Sequence, residues 1–228
     1  MSATEHPRRA FLKQSAAVAT GALAVSATAG LIEPQAAWAT RLRETGRGKI
    51  AGVEHSGAMK SLHKENGAIV EKMTNAAILR FTGKRTVARA YKEFVSAKDI
   101  VGLKLNCLAS PKMGTSNAMV DAIVKGLQAV GIPNEHIILY EQYEGRLTAR
   151  GSGYALNDDP KKGPLVLHMG GKKIITDKGL QGYQSRKDKH ASGPSHFGNI
   201  LKYCTAIINA PVIKDHSLSG VTVGMKNM

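Results

Sequence analysis

The chain has 228 residues, of which 43% are hydrophobic and only 5% aromatic, with 24 glycines. This composition excludes a disordered or fibrous polymer and indicates a globular protein. Lysine and arginine total 32 against 17 acidic residues, a formal net charge of +15, which favours anionic partners. The basic residues are scattered along the chain, which speaks against nucleic acid, and a solvated basic surface is the plainest account of them.

At the N-terminus, Pro7-Arg8-Arg9-Ala10-Phe11-Leu12-Lys13 places two adjacent arginines before Phe-Leu-Lys. A mildly apolar stretch rich in Ala and Gly covers residues 15–32. Pro34 and Ala37-Trp38-Ala39 follow, an A-x-A site with cleavage after Ala39 and before Thr40. Charged start, apolar middle and small-residue cleavage site are the parts of a secretory signal. The pair Arg8 and Arg9, with Phe-Leu-Lys after it and a weakly hydrophobic middle, resembles the twin-arginine class, although Pro7 stands where Ser or Thr is usual. A stretch of ~20 residues is long enough to span a bilayer. Ala and Gly hold poorly in lipid, however, so cleavage is expected to leave no stable membrane span. The run has no polar face, so it is not an amphipathic helix of the fold. Residues 1–39 are therefore expected to be an export signal, with the twin-arginine translocase as partner and the periplasm as destination.

Removing the signal leaves about 190 residues, enough for one α/β domain with its own core. Residues 40–60 carry Gly46, Gly48, Gly52 and Gly57 and read as a loose lead-in. Ile69, Met73, Ala76 and Ala77 mark a helix over 66–81, and a second is expected over 86–94. Residues 40–95 thus form an N-terminal extension with helices, and 96–228 the α/β domain.

Within that domain, residues 100–107 read as a strand with Leu103 and Leu105 on one face and Lys104 and Asn106 on the other. Ser116 is a candidate N-cap for a helix carrying Met119, Val120, Ile123, Val124, Leu127 and Val130, and Gly131 and Pro133 end it. Ile137-Ile138-Leu139-Tyr140 is a short apolar run suited to a buried strand. Together these predict a β-α-β unit with parallel strands and a right-handed crossover. Residues 144–193 are rich in Gly, Lys and Asp, with short strands expected at 165–168 and 172–176. A helix over 195–203 and a buried strand at Ala206-Ile207-Ile208-Asn209 follow. The fold class is α/β, a mainly parallel sheet with flanking helices.

Three clusters carry chemistry, at strand ends or in glycine-rich turns, where ligands gather in open parallel sheets. The first is Lys104 and Asn106 with Cys107. The second is Lys214, Asp215 and His216. The third is the run Gly220-Val221-Thr222-Val223-Gly224-Met225-Lys226-Asn227. Lysine supplies point charge, asparagine both donor and acceptor, and glycine lets backbone N–H groups approach oxygens, a set suited to an anionic small molecule. Lys104, Asn106, Asp215 and Asn227 are the binding candidates, and Lys214, His216 and Lys226 the catalytic ones. His216 with Cys107 is the metal candidate. Each has a plainer reading: Lys104 and Asn106 as the outward face of an edge strand, His216 as a structural histidine, Cys107 as a small core residue.

The two cysteines, Cys107 and Cys204, read as buried free thiols rather than a bridge, and two distant cysteines cannot build a four-cysteine iron–sulfur site. No phosphate loop, dinucleotide fingerprint, metalloprotease helix or nucleophile elbow occurs, so a hydrolase ranks below the binding readings.

Val101-Gly-Leu-Lys-Leu-Asn-Cys107, Met119-Val-Asp-Ala-Ile-Val-Lys-Gly-Leu127, and Ala206-Ile-Ile-Asn-Ala-Pro-Val-Ile-Lys-Asp-His216 with Gly220-Val-Thr-Val-Gly-Met-Lys-Asn227 resemble the bacterial and archaeal family called domain of unknown function 362. The resemblance covers residues 100–228. It implies that some relatives are exported by the twin-arginine route and that others carry ferredoxin-type cysteine motifs, which this chain lacks. It supplies no catalytic residues. Relatives continue past the Lys-Asn block, so the sheet is expected to be incomplete at the C-terminus. The leading expectation is an exported protein binding an anionic ligand or a metal-containing cofactor, with redox work as its use. The rival is a non-catalytic periplasmic accessory protein with a basic surface.

Overall fold

The computed structural model describes residues 38–45, 48–148, 152–168, 183–187, 194–198, 200–217 and 220–227. Most of the expected signal, with Arg8 and Arg9, lies outside the described residues, as does the strand expected at 172–176.

Trp38 and Ala39 open β1 (Trp38–Thr45), which pairs antiparallel with β2 (Gly48–His55) from Trp38 opposite His55 to Thr45 opposite Gly48. The lead-in expected to be loose is therefore largely a hairpin. Its glycines suggested irregular backbone, but Ala51, Val53 and His55 alternate with Gly52 and Glu54, half-buried against exposed. That period of two is what a half-buried strand needs. Cleavage after Ala39 would take the first two rungs of the ladder. A small hairpin follows, β3 (Met59–Ser61) and β4 (Lys64–Glu65).

Helix α1 (Gly67–Thr82) packs against β2 and against the later helix α3, and α2 (Val87–Tyr91) is capped by Thr86, whose side chain accepts from Arg89 N. Strand β5 (Val101–Lys104) leads to α3 (Asn117–Val130). The Ser116 hydroxyl accepts from Met119 N at 3.1 Å, a cap that contributes about 1 kcal/mol. Gly131 ends the helix at φ 102°, a conformation that favours glycine. Strand β6 (Ile137–Glu141), the short helix α4 (Glu144–Leu147) and β7 (Leu165–His168) come next.

The first part of the helix expected over 195–203 is strand, and its last part is helical. β9 (Pro194–Gly198) pairs antiparallel with β8 (Tyr183–Lys187), and only α5 (Ile200–Tyr203) is helical. Gly198 interrupts a helix there, and a partner strand distant in sequence supplies the ladder. β10 (Ala206–Asn209) precedes a third hairpin, β11 (Lys214–His216) with β12 (Gly220–Thr222), and α6 (Gly224–Asn227).

The main sheet runs β10-β5-β6-β7 with every neighbouring pair parallel, the expected α/β arrangement. Val101, Leu103, Ile137, Leu139 and Val166 face Val120, Ile123, Leu127 and Val130 of α3. Ile138, Tyr140 and Leu167 pack on the other face with Ile200 and Cys204. Burial on both faces explains why these strands read as continuous apolar runs. Two glycines set the spacing of the layers. A Cβ on Gly126 would run into the Tyr91 ring, and one on Gly102 would stand 2.9 Å from Cys204 Sγ. Among the described residues no helix is long and apolar enough to cross a membrane.

Candidate functional site

Because all four strands are parallel, their carboxyl ends meet along one edge, and the residues singled out from sequence converge there. β5 lies between β10 and β6, so Lys104 and Asn106 are not on an edge strand, and both are buried. Lys104 Nζ donates to Glu141 Oε1 at 2.9 Å and to Leu105 O at 2.7 Å. The Glu141 carboxylate is filled further by Cys107 N at 2.9 Å and Gln142 N at 2.6 Å. The Lys104 charge is thus compensated inside the protein. Such a pair is secured only when further hydrogen bonds support it, and here both carboxylate oxygens accept one from the backbone.

Asn106 N donates to Thr115 Oγ1, which in turn donates to Ala210 O at 2.7 Å, tying the loop after β5 to the end of β10. Asn106 Oδ1 accepts from Lys214 Nζ at 3.0 Å, and Met113 O accepts from the same ammonium at 3.1 Å. The first and second clusters are therefore in contact. Asn227 Nδ2 donates to Asn209 Oδ1 at 2.7 Å, and Asn209 Nδ2 to Gly224 O at 2.6 Å, which brings the third cluster to the same strand end. Burial and the neighbouring Lys226 ammonium together hold Lys214 below the usual 10.5.

The hairpin β11–β12 sorts the second cluster. Lys214 is in register with Thr222, and His216 with Gly220, so Lys214, His216 and Thr222 share one face. Asp215 falls on the opposite face and is exposed, as is its partner Val221. It stands apart from the other binding candidates for the reason that a strand turns alternate residues to opposite sides.

Cys107 is 1% exposed in the core cluster beneath α3, and burial pushes its thiol up, only partly offset by a Ser152 hydrogen bond. Cys204 packs on the other face of the sheet, and burial raises it to about 12. Both are free thiols. Among the described residues no group of three or more His, Cys, Asp and Glu side chains gathers to hold a metal ion.

Three side chains at this edge had no role assigned from sequence. Glu141 is one glutamate after an apolar run, and only the sheet shows that its partner is Lys104. Thr222 is 2% exposed, and its hydroxyl has no hydrogen-bond partner among the described residues. His168, beside Glu141 in the register, is 4% exposed, with neither ring nitrogen hydrogen-bonded among the described residues and Nε2 3.5 Å from Glu144 Oε2. No local motif marks any of them. The signal available was position at the end of a strand.

The family model described as domain of unknown function (DUF362) matches residues 101–228, more than half of the chain. No curated protein and no solved structure matches.

Proposed function

The chain belongs to the family described as domain of unknown function (DUF362), and from the geometry of its strand ends we propose that it binds a small anion beside Lys214 and Lys226. The observation that supports this most is the pairing of charge. Lys214 and Lys226 act on each other as like charges, while no carboxylate among the described residues forms an ion pair with either. Glu141 acts on Lys214 only as a lesser charge without touching it, so two ammoniums without an ion-paired carboxylate stand at the carboxyl edge of a parallel sheet, and an anionic ligand supplies the missing partner. Asn106 orients Lys214, and the Asn209–Asn227 amides hold the element that carries Lys226. Lys104 contributes by position: with Glu141 it anchors the loop from which Asn106 projects. Export of the folded chain through the twin-arginine route belongs to the same reading and rests on Arg8, Arg9 and the Ala37-Trp38-Ala39 site.

Calorimetric titration of the full chain with chloride, acetate, sulfate and phosphate tests the site. Lys214→Ala and Lys226→Ala are each expected to weaken the tightest anion by about tenfold, the scale of one charge-assisted hydrogen bond. Lys98→Ala, an exposed lysine at the far end of β5, is expected to leave it unchanged. Binding no tighter than chloride, or affinity insensitive to both site changes, would sink the proposal.

A further inference from the structure

The hydrogen-bonding inventory of this corner narrows the ligand, an inference that rests on the anion-binding reading. An ammonium has three donors and no acceptor. Lys214 spends two donors on Asn106 Oδ1 and Met113 O, which leaves one. Lys226 is exposed. Thr222 leaves the hairpin on the same face as Lys214, directly opposite it, and its buried hydroxyl has no partner among the described residues. A buried hydroxyl without a partner is costly, so its retention at 2% exposure points to a partner that arrives with a ligand.

The acceptors nearby are already engaged or turned away. Glu141 is filled by Lys104, Cys107 N and Gln142 N, and Asp215 lies on the other face of the hairpin. Lys214, Thr222 and Lys226 offer donors from three elements, β11, β12 and α6, and carry two positive charges. Two ammoniums repel cations and favour a ligand group that accepts. A planar carboxylate brings one charge and two oxygens. A phosphate monoester or free phosphate brings nearly two charges and three or more acceptor oxygens in a tetrahedral array.

We infer that the ligand group held at Lys214 and Lys226 is a phosphate-type dianion, with the Thr222 hydroxyl as its buried neutral donor. Free phosphate and the phosphate group of a monoester share this chemistry, and the site reads the group.

The test titrates the full chain with orthophosphate, glycerol phosphate, dimethyl phosphate and acetate at neutral pH, by calorimetry and by phosphorus NMR. Orthophosphate or glycerol phosphate is expected to bind at least about tenfold more tightly than acetate or the monoanionic diester, one charge-assisted contact's worth. Preference between the first two identifies the free ion or the ester as the source. Thr222→Val is expected to weaken phosphate by about tenfold while raising the melting temperature, since the unpartnered hydroxyl is gone. Thr222→Ser is expected to retain binding. Acetate binding as tightly as phosphate overturns the inference, as does a Thr222→Val protein that binds phosphate like the parent, and either result leaves the anion site standing. A parent chain that binds none of the four overturns both readings.

Discussion

Two corners of the same sheet edge are built from the same residue types and end in opposite electrostatic states. At the β5–β6 corner, Lys104 is buried with Glu141, and both carboxylate oxygens accept hydrogen bonds. At the β10–β11 corner, Lys214 has an amide and a carbonyl for company, Lys226 as a like-charged neighbour, and Thr222 with a hydroxyl unmet among the described residues. A lysine at the end of a parallel strand is not by itself a ligand site. Its availability depends on whether the next strand ends in a carboxylate. β6 ends in Glu141, whereas the hairpin beside β10 turns its one acid, Asp215, away.

The largest effect that would sharpen this contrast is at the paired corner. Glu141→Leu strands the Lys104 ammonium in the interior and is expected to cost ~3–5 kcal/mol of stability by urea unfolding, as for other broken buried pairs. Lys104→Met added to Glu141→Leu should recover part of the loss, short of the whole because Cys107 N and Gln142 N keep no acceptor. A loss below ~1 kcal/mol from the single change would show that the pair behaves as a surface bridge and would erase the contrast.

Next in size is the pH response of the open corner. Lys214 has a lowered native pKa, so the unfolded chain holds this proton more tightly than the native one. Its contribution to stability therefore rises with pH across the window between that lowered value and 10.5. Anion affinity, which needs the charge, is expected to fall across the same window, at lower pH than an ordinary lysine would give. Lys226→Ala removes one of the two causes and should move the Lys214 titration, followed by carbon NMR of the side chain, back toward 10.5. A Lys214 titration already at 10.5 in the parent would break the comparison.

The smallest expected effect concerns the thiols. Burial raises Cys107 and lifts Cys204 to about 12, so alkylation by iodoacetamide at pH 8 should be more than about tenfold slower in the native chain than in urea, because only the thiolate reacts. Fast native labelling of Cys107 would mean that the strand end is more open than the Lys104–Glu141 corner implies.

Much of the architecture was legible locally. Ser116, the apolar spacing through Val130 and Gly131 announce α3 and both its ends, and Ile137 to Tyr140 could hardly be anything but a buried strand. The failures came where a partner distant in sequence decides. Residues 194–198 hold His196 and Phe197 in a pattern compatible with helix, and become β9 because β8 offers a ladder. The β1–β2 hairpin was obscured by glycines whose alternation with Ala51 and Val53 matters only once α1 lies against it.

The candidate site divides in the same way. Lys104, Asn106, Lys214, Lys226 and Asn227 could be chosen from sequence because strand ends and glycine-rich turns are recognisable in a single stretch of chain. Which of them stays available could not be chosen so. Glu141, thirty-seven positions from Lys104, neutralises one lysine, and the register of Lys214 against Thr222 places a buried hydroxyl beside the other. Residue type and local periodicity determine which groups reach the sheet edge, because those depend on neighbours along the chain. Pairing, burial and the facing of each side chain depend on strand order and register, and only the tertiary structure supplies them.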